Sequence, residues 1–289
     1  LKSAQVFEYL KHADDYGLKV SEFSKDFSSV VNRSRNVADG MSKGVTFLMK
    51  KNKIEVIKGY GKVKPGKIVD VDGVQYSAKH IIISTGARSR ELPSITQDGE
   101  KIIGYRQAMK LKKQPKSMII VGSGAIGVEF AYFYNSMGIK VTIVEYLPNI
   151  VPVEDEDIIK QLQRSFKKSG IKVMTNSSVE KVNVLISGCK VVIKSKNGDE
   201  VVNADIVLPA VGIIPNNENI GLKEVGIKTD IERLVVDEFY NTNVKGYYAI
   251  GDLLPTQALA HVASAEGIVC IEKIAGENPE AIEYGNVPG

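Results

Sequence analysis

Apolar and polar positions follow two rhythms along the chain. Up to about Lys51 the spacing is helical: Ser3 to Tyr16 reads as a helix, and Ser24 to Lys51 as a longer one rich in Lys, Arg and Ser. From Ile54 the period is that of strands, in IEVIKGYGKV, KIVDV and GVQYSAKHIIISTGA, with Pro65-Gly66 and Asp72-Gly73 as turns. Arg88 to Gln107, containing Pro93, reads as a linker. A buried-type strand at Met118 to Val121 follows, then a helix with Ile126, Phe130, Phe133 and Met137 at helical spacing, a stop at Gly138, and a second strand at Val141 to Val144. Next come a helix at Glu154 to Lys168, a strand at Ile171 to Met174 and further strands up to Gly212 that turn at Asn197-Gly198. Past Pro215 the pattern loosens before a strand at Gly246 to Ile250 and a helix at His261 to Ala275.

The strand–helix–strand at Met118 to Val144 is a βαβ unit, and its first turn carries Gly122, Gly124 and Gly127 at G-x-G-x-x-G spacing. Among 26 glycines such spacing alone is weak; the flanking strand and helix make it specific. In that setting the first glycine makes the tight turn, the second lets a pyrophosphate approach the backbone, and the third brings helix and strand together. The helix N-terminus adds free N–H groups and the positive end of its dipole. Glu145, just past the second strand, is placed to accept from an adenosine ribose 2′-OH and to repel a 2′-phosphate, which favours NAD over NADP. A glycine turn that only packs a strand on a helix, and a surface carboxylate at 145, would leave the same residues.

Composition narrows the class. With 289 residues, 43% hydrophobic and 25% charged, the chain has material for about two domains. The net charge of +4 is mild, and the lysines of KLKKQPK and FKKSGIK are not interleaved with aromatics, so no nucleic-acid partner is expected. No apolar run reaches a membrane-spanning length, so no membrane association is expected. The chain does not begin with Met and shows no signal peptide; it is expected to be an internal part of a longer, cytoplasmic protein. Cys189 and Cys270 have no metal-ligand spacing and read as small packed residues, and His12, His80 and His261 are scattered, so no metal site is expected.

HIIISTGA (80–87) echoes DIVLPAVGI (205–213): each is an apolar strand ending at a glycine after a hairpin stretch. Two nucleotide-binding domains of one topology would produce the echo; so would two unrelated buried strands. The motif TNVKGYYAIGDL, Thr242 to Leu253, adds a strand that delivers Gly251 and Asp252 to its carboxyl end, where ligands sit in open α/β sheets. Together with STGA at 84–87, GSGAIGVE at 122–129, VEYLPNIVPVEDEDI at 144–158, VGIIPN at 211–216, AIGD at 249–252 and LAHVASAEG at 259–267, the chain resembles the class I flavoprotein disulfide reductases of the dihydrolipoyl dehydrogenase type.

That resemblance implies an α/β fold of two Rossmann-like dinucleotide-binding domains, the FAD domain incomplete and the NAD domain inserted within it. The expected divisions are 1–92 for the first part of the FAD domain, 93–216 for the NAD domain and 217–289 for the second part of the FAD domain. It implies that Gly122, Ser123, Gly124, Ala125, Ile126, Gly127, Val128 and Glu129 cradle NAD, with Glu129 near the nicotinamide. Glu145 would hold the ribose, and Val179 and Gly212 would offer backbone atoms. For FAD it implies Gly61, Thr85, Gly86 and Ala87 at the adenosine and pyrophosphate, Asp252 on the ribityl chain, and Ala258, Leu259, Ala260 and His261 along the flavin ring.

The family's N-terminal glycine motif for the FAD pyrophosphate, its C-x4-C disulfide and its C-terminal dimerisation domain with a His-Glu pair do not occur within these 289 residues. No catalytic residue of the family is therefore expected here, and His261 with Glu266, on different faces of one helix, is not that pair. For the whole enzyme the resemblance implies NAD⁺-dependent oxidation of dihydrolipoamide, a homodimer, and lipoyl-domain partners in 2-oxo acid dehydrogenase or glycine cleavage complexes. A related reductase of the mercuric reductase or soluble transhydrogenase type, and a module that only binds nucleotide, remain as alternatives.

Overall fold

The computed structural model describes residues 1–196 and 198–287, so Asn197 of the expected Asn197-Gly198 turn lies outside the described residues. In chain order the first elements are α1 (Lys2–Lys11), α2 (Phe27–Lys51), β1 (Gly61–Lys64), β2 (Ile68–Val71), β3 (Val74–Ser77), β4 (Ile81–Ile83), β5 (Ala87–Ser89) and the short α3 (Tyr105–Ala108). The middle comprises β6 (Ser117–Val121), α4 (Ala125–Ser136), β7 (Lys140–Val144), α5 (Glu156–Lys168) and β8 (Lys172–Met174). Then come β9 (Ser177–Leu185), β10 (Gly188–Ser195), β11 (Gly198–Ala204), β12 (Ile206–Pro209) and β13 (Ile213–Pro215). The last are α6 (Leu222–Val225), β14 (Thr229–Asp230), β15 (Arg233–Leu234), β16 (Tyr247–Ala249) and α7 (Ala260–Ala275).

The chain forms two compact units, Leu1–Leu48 with Ser89–Gly212, and Met49–Arg88 with the residues from Ile213 onward. This differs from the expected division, in which the N-terminal helices went with the strands that follow them. The reason is packing: Ala4, Phe27 and Val31 are buried in one cluster with Tyr134 and Met137 of the α4 region. Phe27 lies 6.3 Å from Phe133 and 6.4 Å from Tyr134, ring centre to ring centre. At the C-terminal end of α4, where carbonyls lack helical partners, Lys25 Nζ donates to Met137 O and Lys11 Nζ to Ser136 O at 3.1 Å. Burial and the neighbouring charge of Lys11 lower the Lys25 pKa.

In the first unit a four-stranded parallel sheet runs β12-β6-β7-β8, with an antiparallel sheet β11-β10-β9 beside it in sequence. The sheet-facing line of α4 is Gly127, Ala131 and Tyr134, whereas Ile126, expected on the buried face, is 37% exposed. Small residues at 127 and 131 let the helix axis approach the sheet, which leaves the bulkier Phe130 and Phe133 to pack at its flanks. The stretch read as a linker is also built into this unit. Ile95, Ile102 and Ile103 are buried, and Ile102 bridges Val207 of the edge strand. Asp98 fixes the turn between Ile95 and Ile102, its Oδ1 accepting from the N–H groups of Glu100, Lys101 and Ile102 at 2.8 to 2.9 Å.

In the second unit β1-β2-β3 form an antiparallel sheet and β16 pairs with β4 in parallel. Residues 54–60, expected to begin the first strand, form none: no neighbouring strand takes up their backbone groups among the described residues, and Ile54, Val56 and Ile57 are exposed. The internal echo is a structural repeat. In each unit a three-stranded antiparallel sheet leads into a strand of a parallel ladder, β4 or β12, and then to a glycine of positive φ, Gly86 at 68° or Gly212 at 104°.

Candidate functional site

Adjacent parallel strands set the site in the first unit. Pro209, Val121 and Val144 are in register across β12, β6 and β7, so the chain leaves all three at one edge of the sheet. There Gly122 turns with φ 99°, and a Cβ on it would lie 2.5 Å from Ala210 O. A Cβ on Gly127 would run into Gly122 O, so the third glycine is required by the approach of α4 to the turn. Gly124 differs: it is exposed, has ordinary φ, and a Cβ there would meet nothing within 4 Å. The second glycine thus keeps a space open directly before the N-terminus of the 12-residue α4, whose first N–H groups have no helical acceptor. That shape and polarity suit a phosphate anion, so the residues present fit a dinucleotide pyrophosphate.

Glu145 is 7% exposed and its carboxylate reaches back over this turn. Oε2 accepts from the Ser123 N–H at 2.8 Å and from the Ser123 hydroxyl at 2.6 Å; Oε1 accepts from the Leu147 N–H at 2.8 Å. Ala125, Ile126 and Glu129 are exposed along α4, Val128 is half-buried, and Glu129 with Val128 and Tyr132 lines a cleft of about 570 Å³ shared with Lys2, Gln5 and Phe166. Val179 in β9 is buried in one apolar cluster with Val121 and Val144. Gly212 is exposed, and its carbonyl accepts from the Arg90 N–H at 2.9 Å.

The second unit brings a different set together. Parallel pairing of Ala249 with Ile83 puts Thr85, Gly86 and Ala87 beside Gly251 and Asp252 at one sheet edge. The Thr85 hydroxyl donates to Asn216 O at 2.6 Å, and Asn216 Nδ2 returns a bond to Thr85 O at 3.0 Å. Asp252 is half-buried and its carboxylate has no hydrogen-bond partner among the described residues, an acceptor fit for a polyhydroxyl chain. Ala258, Ala260 and His261 are exposed at the start of α7 with Leu259 half-buried, and Gly61 opens β1 opposite Val71. Here too the residues fit part of a flavin dinucleotide site.

Glu266, set aside in the sequence because it does not pair with His261, proves to be a fully buried carboxylate beside this edge. It accepts from the Gly251 N–H at 2.6 Å, the Thr256 hydroxyl at 2.9 Å and the Tyr284 hydroxyl at 2.9 Å. Arg233 completes the brace by donating to the carbonyls of Asp252 at 2.7 Å and Leu254 at 2.8 Å. Nothing local in AEGIV distinguishes a buried glutamate from a surface one; the apolar neighbours Ala265 and Ile268 were the only hint. Both cysteines are buried, and burial pushes the Cys189 thiol up and the Cys270 thiol up to about 11, so neither is poised as a thiolate. Among the described residues there is no cluster of metal-ligating side chains, and no helix is long and apolar enough to cross a membrane.

The profile of the family described as pyridine nucleotide-disulphide oxidoreductase matches residues 6–267. A dihydrolipoyl dehydrogenase of Rhizobium etli is 44% identical over 311 residues, covering all of this chain and 65% of that protein. One of Chlorobaculum tepidum is 41% identical over 294 residues, again over the whole chain and 63% of the relative. The crystal structure of LpdA from Mycobacterium tuberculosis superposes with a TM-score of 0.89 at 29% identity, over 98% of this chain and 62% of that one. The chain thus spans just under two thirds of the length of the relatives it matches.

Proposed function

The chain belongs to the pyridine nucleotide-disulphide oxidoreductase family, and we propose that it supplies the nicotinamide-nucleotide site and part of the flavin site of an NAD⁺-dependent dihydrolipoyl dehydrogenase. The observation that carries this is the open space over Gly124 between a glycine turn and a buried acidic residue, Glu145. Gly122 to Glu129 hold the nucleotide in this reading, the N–H groups at the start of α4 face its pyrophosphate, and Glu145 sets the preference for NAD over NADP. Val179 and Gly212 offer main-chain atoms to the same molecule. In the second unit Thr85, Gly86, Ala87 and Gly61 border the FAD adenosine and pyrophosphate. Asp252 accepts from the ribityl hydroxyls, and Ala258 to His261 line the ring. When bound, the flavin supplies electron-pair transfer to and from a nicotinamide. The protein's own part is to bind and orient each nucleotide, with Glu129 at the nicotinamide edge.

The substrate class is protein-bound dihydrolipoamide, which makes lipoyl-domain proteins of 2-oxo acid dehydrogenase or glycine cleavage complexes the partners and a homodimer the working form. Neither buried thiol has a vicinal partner, so this reading assigns no dithiol chemistry to Cys189 or Cys270. The deciding experiment is a steady-state assay of the complete polypeptide that carries this chain. NAD⁺-dependent oxidation of dihydrolipoamide is expected; a preference for NADP⁺, or for mercuric ion as the substrate, would overturn the reading.

A further inference from the structure

The surroundings of Glu145 give its carboxylate a narrower part than holding a ribose. A carboxylate offers roughly four lone-pair sites. Three are engaged by the protein: two on Oε2, from the N–H and hydroxyl of Ser123, and one on Oε1, from the Leu147 N–H. At 7% exposure the side chain has little freedom to swing.

Ser123 is itself held. It is completely buried, its carbonyl accepts from the Val151 N–H at 3.0 Å, and its hydroxyl makes its bond to Glu145. Val151, a β-branched residue at φ 39°, gives up a comfortable backbone to make that contact. The glycine turn, the end of β7 and the 147–151 loop therefore meet on one serine.

We infer that Ser123 is a specificity-positioning residue: its hydroxyl fixes the Glu145 charge at the glycine turn, where the charge rejects a 2′-phosphate. This rests on the reading of the turn as an adenine-dinucleotide site. Because one acceptor position remains on the carboxylate, Glu145 contributes more to excluding NADP than to holding NAD. An alanine at 123 removes the shortest of the three bonds and leaves Oε2 with a single donor. The carboxylate then gains freedom to turn toward water, where its field on a bound phosphate is screened.

The test is calorimetric titration of the 289-residue chain with NAD⁺ and with NADP⁺, for the unsubstituted chain, Ser123→Ala, Glu145→Gln and the double variant. The unsubstituted chain is expected to prefer NAD⁺ at least about tenfold. Ser123→Ala should reduce that preference about fivefold, read as the ratio of the two affinities, with a cooperative urea-unfolding transition showing that the variant is folded. Glu145→Gln should reduce the preference at least as much, chiefly by tightening NADP⁺, and adding Ser123→Ala to it should leave the ratio unchanged. A Ser123→Ala chain that discriminates as well as the unsubstituted one, or a serine effect of equal size in both backgrounds, overturns the inference alone. An unsubstituted chain that binds neither nucleotide, or both equally, overturns the site reading and the inference with it.

Discussion

In the first unit β12, β6 and β7 end together around a glycine turn, an open space over Gly124 and the N-terminus of α4. In the second unit the matching edge is made, among the described residues, by β4 and β16, and it presents Thr85, Gly86 and Asp252 with no glycine-rich turn or helix N-terminus between them among those residues. The two edges share a topology and even the antiparallel sheet that precedes them, yet they hold their loops differently. The first combines close backbone packing at its glycines with the Glu145 carboxylate on Ser123, whereas the second relies on the buried Glu266 carboxylate. Glycine geometry can be satisfied within a short span of chain; the brace at Glu266 needs Gly251, Thr256 and Tyr284 to converge from three places.

The largest effect should follow from breaking that brace. Glu266→Ala leaves three donors without their acceptor, at about 1–3 kcal/mol each for those that stay dry, so a loss of roughly 3–5 kcal/mol is expected in urea unfolding. Glu266→Gln, which keeps one acceptor oxygen, should lose less. The corresponding break in the first unit is Gly127→Ala, where the new methyl meets Gly122 O. Forcing helix and turn apart should cost about 3 kcal/mol, read as a lowered unfolding midpoint together with loss of NAD⁺ binding.

Ligand affinity sharpens the comparison next. Since a glycine turn with a following helix N-terminus is found among the described residues at the first edge and not at the second, the 289-residue chain should bind NAD⁺ but hold FAD about a hundredfold or more weakly than a site with two further charge-assisted hydrogen bonds. Purified chain should therefore lack flavin absorbance; a yellow protein with stoichiometric FAD would show that the second edge needs no such cradle. Gly124→Ala separates shape from stability: with nothing within 4 Å of the added methyl, unfolding should move by no more than about 1 kcal/mol. NAD⁺ affinity, in contrast, should fall at least about tenfold, because the methyl enters the space reserved for phosphate.

The smallest effect concerns a surface pair of the second unit. Arg88 grips Glu218 with both guanidinium nitrogens, at 2.7 and 3.0 Å, and these hydrogen bonds hold the Glu218 pKa below the ordinary glutamate value. A carboxylate whose folded pKa is depressed stabilises the fold fully above its unfolded pKa and loses that contribution as pH falls through the folded value. Both side chains are about half exposed, so the contribution is under about 1 kcal/mol. Arg88→Ala should thus be slightly less stable than the unsubstituted chain at neutral pH, and the difference should narrow as pH falls through the depressed Glu218 pKa, leaving the part owed to the Arg88 bonds to Pro215 O and Asn216 Oδ1, in an acid-unfolding series.

What could be read along the chain was what local chemistry controls. The period of apolar residues marked β6, α4 and β7, and the spacing of Gly122, Gly124 and Gly127 marked the turn between them, because strand pleat, helical pitch and φ at a glycine are set within a few residues. Even the repeat of β4 and β12 showed as an echo. Tertiary contact decided the rest. Whether Arg88 to Gln107 was a linker or part of the core depended on Val207 lying beside Ile102. Which line of α4 faced the sheet depended on how closely β6 and β7 come, and so favoured Gly127 and Ala131 over Ile126 and Phe130. Residues 54–60 have a strand's pattern, but a strand exists only where another accepts its hydrogen bonds. Glu145 and Glu266 carry the same side chain in the sequence; only the fold made one a partner of Ser123 at the glycine turn and the other a brace for Gly251, since a buried charge is defined by the donors that distant segments bring to it.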